Sequence, residues 1–377
     1  MTGEINVALV GQRFMGRAHA NAYRQVGAFL SPALRPRLRV ACGRDEPALR
    51  EFASRFGWEE ITTDWRAAVD RDDVQLVDIC ASNDLHREIA ERAAEAGKAV
   101  FCEKPLARTL AEARAMCAAV HQAGVPHMVC FNYRFFPALQ LAKRLIDEGA
   151  IGRPWQFRAI YLQDWLCDPA FPLQWRMRRE QAGSGALGDT AVHLVDLARF
   201  LVGEVEEVVG ALTTLIPERP LPGGEGTGAV TVDDTAAFLA RLEGGVTGVF
   251  ETTRMATGRK NFMHLEVNGD RGSIFWNAEE LNALWYCSRQ DAPHARGFRR
   301  ILATEPAHPY AGQWWPPGHI LGYEHSFVHA VHELLAAVAA GRPARPDFQD
   351  GLAAQAVLEA VLKSTTTGSW VRVAEVS

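Results

Sequence analysis

The strongest constraint on the fold is a regular alternation of short apolar runs and helical patterns along the first third of the chain. Each run is followed by a stretch in which apolar side chains recur three and four positions apart. Such alternation is typical of βαβ units, in which parallel strands are joined by helices that cover the sheet. The sequence predicts strands over 5–10, 38–42, 76–80, 99–102 and 127–131, and helices over 48–56, 86–96 and 110–123.

The pattern changes after about residue 150, where apolar and polar residues alternate along longer stretches. Strict alternation predicts strands with one buried and one exposed face, as in antiparallel sheets. Gly244-Gly245 and Asn268-Gly269 separate consecutive stretches, as hairpin turns do. The sequence predicts strands over 155–163, 235–242, 246–252, 262–267 and 281–287, followed by helices over 323–340 and 352–363.

A glycine turn, Gly11-Gln12-Arg13-Phe14-Met15-Gly16, stands between the first predicted strand and a helical pattern. A dinucleotide-binding turn needs glycine first for the tight bend and last for close helix packing, and both are present. The middle glycine is replaced by Arg13, whose guanidinium can contact phosphate directly. We therefore assign Gly11, Arg13, Phe14, Met15 and Gly16 to a cofactor site.

These patterns together predict an α/β protein of two domains. A chain of 377 residues exceeds the roughly 250 to 300 residues at which a single core normally divides. Residues 1–131 are predicted to form a Rossmann NAD(P)-binding domain. Residues 132–377 are predicted to form a substrate-binding and oligomerisation α+β domain with a large, open, mainly antiparallel sheet.

The end of the second predicted strand bears on the choice between NAD and NADP. An acidic side chain here would bind the ribose hydroxyls of NAD, but the sequence reads Gly43-Arg44-Asp45. The small residue and the cation suit the 2′-phosphate of NADP, whereas Asp45 can act as the acidic partner of NAD. A solvated turn is a third interpretation. The predicted cofactor is NADP or NAD, with NADP slightly favoured.

The tripeptide Glu103-Lys104-Pro105 closes the fourth predicted strand, at the edge where open α/β sheets bind ligands. The chain has 40 Lys and Arg residues, of which only five are lysines. A lysine in such a place suggests a function that arginine cannot perform, because only lysine can release a proton in a partly dry cleft. The alternative is a surface lysine before a proline turn.

A third feature is the segment Gly188-Asp189-Thr190-Ala191-Val192-His193, which begins an amphipathic helical pattern. In a helix, Asp189 and His193 lie one turn apart on the same face. A carboxylate beside an imidazole can orient it and support its charged form, as a general base requires. The alternative is a histidine that is simply buried in the core or in an interface.

The order of these motifs along the chain, with segment 81–86 and Asp196 included, resembles that of the glucose-fructose oxidoreductase/inositol dehydrogenase (Gfo/Idh/MocA) family. Segments 161–165, 183–189 and 217–220 are similar to the levoglucosan dehydrogenase branch, which oxidises a pyranose C3 hydroxyl. The resemblance implies an NAD(P)-dependent oxidoreductase that transfers hydride between nicotinamide and a hydroxyl carbon of a sugar, anhydrosugar or cyclitol.

The resemblance also implies residue roles. His193 would remove the hydroxyl proton, Lys104 would hydrogen-bond the developing alkoxide, and Asp189 would position both. No metal is required. The implied cofactor contacts beyond the glycine turn are Gly43, Arg44, Asn83, His86, Glu103 and Lys104, and the implied substrate contacts are Tyr133, Arg134, Gln163, Asp164, Trp175, Arg176, Asp189 and His193.

Other classes of function have less support. A net charge of −5 without a basic stripe gives no indication of nucleic acid or membrane partners. Scattered cysteines and the lack of a basic N-terminal start predict a cytoplasmic protein. The open sheet predicts a homodimer or homotetramer formed through the C-terminal domain. Two alternatives remain: a catalytically silent cofactor-binding sensor or regulator, and a lyase or hydrolase that oxidises its substrate only transiently.

Overall fold

The computed structural model describes residues 3–376 and divides this part of the chain into two compact units. The first unit comprises residues up to 132 together with 322–353, and the second comprises 133–321 together with the residues from 354 onward. The first boundary lies next to the predicted division at residue 131. Segment 322–353 belongs with the first unit although it follows the second along the chain.

The first unit contains a six-stranded parallel sheet with the order β3-β2-β1-β4-β5-β6. Its strands are β1 (Gly3–Val10), β2 (Leu34–Cys42), β3 (Glu60–Thr62), β4 (Leu76–Ile79), β5 (Ala99–Glu103) and β6 (His127–Cys130). Its N-terminal helices are α1 (Phe14–Phe29), α2 (Glu46–Phe56), α3 (Trp65–Val69), α4 (Asn83–Glu95) and α5 (Leu110–Ala123).

Local sequence explains where these elements begin and end. Strands β4 and β5 are buried along their whole length, as expected for a parallel sheet covered on both faces. The Thr109 side chain accepts a hydrogen bond from the amide of Glu112 and so caps α5. Gly124 ends α5 in the left-handed region, with φ of 64°.

The second unit contains a nine-stranded sheet with the order β16-β15-β14-β13-β7-β12-β11-β8-β17, and every neighbouring pair is antiparallel except β7 and β12. Its helices are α6 (Pro137–Asp147), α7 (Arg179–Ala182) and α8 (Val192–Leu201). Its strands are β7 (Pro154–Leu162), β8 (Val205–Thr213), β11 (Thr235–Leu242), β12 (Val246–Thr253), β13 (Phe262–Gly269), β14 (Gly272–Asn277), β15 (Ala283–Ser288), β16 (Arg299–Leu302) and β17 (Val371–Arg372), with β9 (Glu218–Pro220) and β10 (Thr227–Ala229) forming a separate two-stranded ribbon.

The chain ends in helices α9 (His325–Ala339) and α10 (Phe348–Thr367). Helix α9 belongs to the first unit, where it packs on α1. Within residues 3–376, none of the helices combines the length and the apolar content that crossing a bilayer requires. A parallel N-terminal sheet with helices, followed by a large and mainly antiparallel sheet, confirms the predicted fold class.

Candidate functional site

The glycine turn after β1 has the geometry of a dinucleotide site. Gly11 has φ of 118°, and a Cβ atom at this position would lie 2.3 Å from the carbonyl oxygen of Cys80. A Cβ on Gly16 would lie 1.8 Å from the carbonyl oxygen of Gly11. Larger residues at either position would force the turn away from β4 or away from helix α1. The two glycines therefore allow the tight bend and the close packing of helix α1 that a dinucleotide-binding turn needs.

The N-terminus of α1 fits an anion. Arg13 occupies the cap position in an extended conformation, and its side chain does not cap the helix. The first amides of a helix have no carbonyl partner within the helix, and the helix dipole adds positive potential there. The Arg13 side chain is 84% exposed and lies 3.8 Å from the Asp45 carboxylate. Phe14 is exposed and stacks on Tyr323. These residues fit the pyrophosphate of a dinucleotide.

The other predicted cofactor residues follow strands β2, β4 and β5 at the same edge of the sheet. Gly43 and Arg44 come after β2, Asn83 begins α4 after β4, and Glu103 with Lys104 ends β5. Because all six strands are parallel, these carboxyl ends share one edge, where open α/β sheets bind ligands. The first unit therefore brings the predicted cofactor residues to one edge of its sheet.

His86 is buried and connects two of these loops. Its Nδ1 atom lies 3.0 Å from the carbonyl oxygen of Pro105, and its Nε2 atom lies 3.2 Å from that of Ala81. Burial lowers the pKa of His86, which favours the neutral ring. The Lys104–Pro105 peptide bond is cis. The observed contacts hold the loop that carries Lys104, and a direct contact between His86 and the cofactor stays a prediction.

A buried histidine that the sequence did not identify lies beside Glu103. His19 Nδ1 lies 2.9 Å from one carboxylate oxygen of Asp78, and its Nε2 lies 3.0 Å from Oε1 of Glu103. Burial disfavours the charged ring, but the neighbouring groups, Asp78 first among them, together raise the pKa of His19 well above its usual value. Burial likewise opposes ionisation of Glu103, yet the hydrogen bond from His19 lowers the pKa of Glu103. The carboxylate next to Lys104 is therefore held ionised.

Raising the pH should weaken the folded state through His19. Its pKa is higher in the folded state, so its stabilising contribution is complete below about pH 6.5 and is lost as the pH rises through the folded pKa. In that window the free energy of unfolding falls by up to about 1.4 kcal/mol per pH unit. We expect His19→Gln, which cannot gain the proton, to show a shallower decline. Urea denaturation of the wild type and of His19→Gln from about pH 6.5 to 9 measures how the free energy of unfolding changes with pH. Equal slopes in the two proteins would contradict the positive charge on His19.

A pattern in the sequence marks this cluster. His19 lies on the same stripe of α1 as Ala22 and Val26, which are both fully buried, and Asp78 interrupts the apolar strand β4. A polar residue in an apolar stripe indicates a buried partner.

Cys130 also lies close to this cluster, so that His19, Glu103 and Cys130 have the ligand types of a metal site. Both ring nitrogens already bond carboxylates, and the predicted lack of a metal requirement stays a prediction.

In the second unit, His193 lies against two tyrosines. Tyr133, in the 3₁₀ turn Asn132–Phe135, contacts the His193 ring edge-on at a centroid distance of 4.8 Å. The Tyr133 hydroxyl lies 2.8 Å from that of Tyr161, which donates to Asn261 Oδ1 at 2.7 Å. A buried imidazole is thus packed against two tyrosine rings, whose hydroxyls bond each other and the Asn261 amide. Hydroxyl and amide groups are the partners that polyol hydroxyls require.

Gln163 and Asp164, which follow β7, extend this polar group. The Gln163 amide donates to Asn261 Oδ1 at 2.9 Å and accepts from the Trp165 indole at 3.0 Å. Asp164 accepts from Lys260 at 2.7 Å, and that hydrogen bond lowers the pKa of the Asp164 carboxyl. The sequence did not identify Tyr161, Asn261 or Lys260 as site residues, because only the folded sheet brings them to their partners.

The sequence predicted Asp189 and His193 on one helix, whereas the structure places them on two successive helical segments. Asp189 belongs to a π-helical turn, Leu187–Ala191, and His193 to the first turn of α8. The turn is held by Asp233, whose carboxylate accepts from the amides of Gly185 at 2.7 Å and Leu187 at 2.8 Å. Single π-helical turns are frequent at functional sites. Asp189 is half-buried and His193 is buried.

Three predicted substrate residues already have partners within the second unit. Arg134 donates two hydrogen bonds to the Asp196 carboxylate, at 2.9 and 2.6 Å, and both side chains are buried. The Arg176 guanidinium lies 4.3 Å from the centre of the Trp175 ring. A bidentate, buried Arg134 stabilises the fold around His193. Contacts of Arg134, Trp175 and Arg176 with a substrate stay predictions.

Comparison with known proteins agrees with both units. Residues 5–131 match the model described as the oxidoreductase family with an NAD-binding Rossmann fold, and residues 139–275 match the GFO/IDH/MocA C-terminal domain. A levoglucosan dehydrogenase from Pseudarthrobacter phenanthrenivorans is 45% identical, over 99% of each chain.

Solved structures agree as well. An oxidoreductase domain protein from Kribbella flavida is 50% identical with a TM-score of 0.95, over 98% of this chain and 99% of that one. A levoglucosan dehydrogenase in complex with NADH and L-sorbose is 44% identical with a TM-score of 0.95, over the same shares of the two chains. With its NAD-binding turn and its C-terminal sheet both matched along nearly the whole length, this chain belongs to the Gfo/Idh/MocA oxidoreductase family.

Proposed function

We propose that this protein is an NAD-dependent dehydrogenase that oxidises a hydroxyl carbon of a sugar, anhydrosugar or cyclitol. The observation that carries the proposal is the buried His193 against two hydrogen-bonded tyrosines, since this cluster can accept a proton beside groups that bind hydroxyls. Relatives support it: the levoglucosan dehydrogenase, and an inositol 2-dehydrogenase from Rhizobium meliloti that is 26% identical over 98% of this chain and 99% of its own. Among these substrates, we favour an anhydrosugar such as levoglucosan.

In this proposal the protein supplies proton transfer and charge stabilisation. The nicotinamide, when bound, supplies the acceptor for hydride. His193 takes the hydroxyl proton as general base, and the π-helical turn holds Asp189 where its carboxylate orients the imidazole. Lys104 hydrogen-bonds the substrate oxygen as it gains charge. Glu103, kept ionised by His19, places a negative charge beside Lys104.

Substrate recognition is assigned to the polar residues of the second unit. Tyr133 and Gln163 present a hydroxyl and an amide beside the His193 cluster, and Asp164 presents an ionised carboxylate. Trp175 and Arg176 form a flat stacked pair that suits the C–H face of a sugar ring. Arg134 contributes by holding Asp196 on the helix that carries His193.

For the cofactor, we propose that NAD is preferred over NADP. The sequence slightly favoured NADP because Arg44 follows a glycine in place of an acidic residue. In the structure the Asp45 side chain accepts from the amide of Ala48 and caps α2, and it also lies beside Arg13. Part of the positive charge near the ribose position is thereby balanced. Solved relatives in complex with NADH support the same preference.

We also propose a homodimer or homotetramer in the cytoplasm. Leu239 on β11 and Val249 on β12 pair in register, and both side chains are exposed on the same face of the large sheet. Apolar groups that meet on an exposed sheet face favour association. The seven cysteines are free thiols, as in a reducing compartment. Light scattering of the purified protein gives the subunit number, and a monomer at micromolar concentration would refute the assembly.

The proposed activity is tested in two steps. Titration with NADH and NADPH, followed by fluorescence, first measures cofactor binding without any sugar. Levoglucosan, pyranoses and inositols are then screened for absorbance of the reduced cofactor. We expect NADH to bind and an anhydrosugar to give net reduced cofactor. Binding without turnover on any polyol would favour a sensor, and turnover without net reduced cofactor would favour transient oxidation by a lyase or hydrolase.

A further inference from the structure

Gln12, the second residue of the glycine turn, connects this turn to the loop after β2. It is only 8% exposed, which is unusual for a polar side chain in a surface loop. Its Nε2 atom donates a hydrogen bond to the carbonyl oxygen of Asp45 at 3.0 Å. This bond holds the side chain across the end of β2, next to Gly43.

The hydrogen bond also determines which end of the amide faces Gly43. A backbone carbonyl can only accept, so the amide NH₂ must point to Asp45 and the amide oxygen must point the other way. A Cβ atom on Gly43 would lie 1.5 Å from Oε1 of Gln12. The Gln12 carbonyl therefore fills the space that a side chain at the end of β2 would otherwise occupy. Any side chain at position 43 would displace the Gln12 amide from this place.

The oxygen that faces Gly43 is buried and accepts no hydrogen bond from any residue between 3 and 376. Buried acceptors nearly always receive a hydrogen bond in native proteins, so the unbonded Oε1 atom of Gln12 indicates a donor from a bound ligand. The end of the second strand is where dinucleotide-binding domains hold the adenosine ribose through an acidic side chain. Here the acidic side chain is replaced by glycine, and an acceptor from the glycine turn stands in the same space.

We propose that Gln12 Oε1 accepts a hydrogen bond from the 2′-hydroxyl of the adenosine ribose of NAD and thereby selects NAD over NADP, which carries phosphate at that position. The proposal rests on the nicotinamide-dependent function proposed above and deepens it. A 2′-phosphate offers only acceptor oxygens in its ionised form, so it cannot donate to the Gln12 carbonyl. An uncharged carbonyl repels phosphate less than a carboxylate does. The selectivity is therefore expected to be moderate, about tenfold, which is the usual effect of one hydrogen bond.

The test is a pair of cofactor titrations on matched variants, without any sugar. Gln12→Met keeps the length of the side chain and removes the acceptor. We expect the Kd for NADH to rise about 5- to 10-fold and the Kd for NADPH to change less than about twofold. The matched control is Gln25→Met, the same replacement on helix α1 at a side chain that bonds Asn21. Both Kd values should be unchanged in the control.

A second variant covers the case in which Gln12→Met does not fold. Gln12→Glu keeps the shape and adds a negative charge, so the ratio of the Kd for NADPH to that for NADH should increase at least about tenfold. Equal changes in both Kd values in Gln12→Met, or an unchanged ratio in Gln12→Glu, would overturn the proposal. Binding of neither cofactor by the wild type would overturn the nicotinamide function as well. NADH selectivity without turnover on sugars would leave this inference standing and refute the dehydrogenase.

Discussion

Replacing His193 with alanine is expected to lower kcat by about 10²- to 10⁴-fold, the usual contribution of a general base. The Kd for NADH should change less than about twofold, because the glycine turn and the strand ends proposed to bind the cofactor belong to the first unit. The buried ring lies against Tyr133 and Tyr161, so its removal leaves a space lined by hydroxyl-bearing rings. Steady-state rates on the best sugar of the screen measure the effect.

Added imidazole sharpens this test. A neutral imidazole that enters the space left by the missing ring can accept the proton, and we expect partial recovery of kcat above the pKa of free imidazole. The control is His308→Ala, which removes a histidine from a loop of the same unit, where it accepts from the amide of Glu305. Wild-type turnover in His193→Ala would remove His193 from the mechanism.

Replacing Lys104 with methionine should have an effect of the same size, about 10²- to 10⁴-fold on kcat, because it removes the donor proposed to stabilise charge on the substrate oxygen. Methionine has a similar length and no charge, and the backbone amide of residue 104 can still donate to Glu103, as it does at 3.1 Å. Cofactor binding should therefore be nearly intact. The measurement is kcat beside an NADH titration of the same preparation.

Two further variants separate charge from proton transfer. Lys104→Arg keeps the positive charge but does not release a proton, so we expect it to remain at least about tenfold below wild type. Lys143→Met removes a half-buried lysine that pairs with Asp147 one turn along α6, and it should behave as wild type. Full activity of Lys104→Arg would show that the lysine acts only through its charge.

Elements with a strong local signature could be predicted from sequence. The alternating strand predicted over 235–242 has the bounds of β11 in the structure, and the buried strands of the parallel sheet lie within a few residues of their predicted places. Short strands such as β3 and β17 were missed. Each carries too few residues to show a period and pairs with a single neighbour at the end of its sheet. Their position depends on the strand beside them.

The same distinction applies to the candidate site. Lys104, Asp189 and His193 stand in short motifs, so they could be predicted as candidates without a structure. The bonds of His19 join residues 59 and 84 positions apart, and the bonds that hold the π-helical turn reach Asp233 from 46 and 48 positions away. Sequence patterns describe periodicity within one element, whereas these contacts depend on the packing of several.

The return of segment 322–353 to the first unit affects the order in which a growing chain can fold. Edge strand β6 bonds residues near the end of the chain: Ala344 donates to His127, and Val129 donates to Pro346. Helix α9, which packs on α1, is also made late. On the ribosome, strand β6 therefore lacks these hydrogen bonds, and the surface of α1 that α9 covers stays exposed, until strands β7 to β16 have emerged. The unit that begins synthesis first is completed only after nearly all of the other sheet has been made.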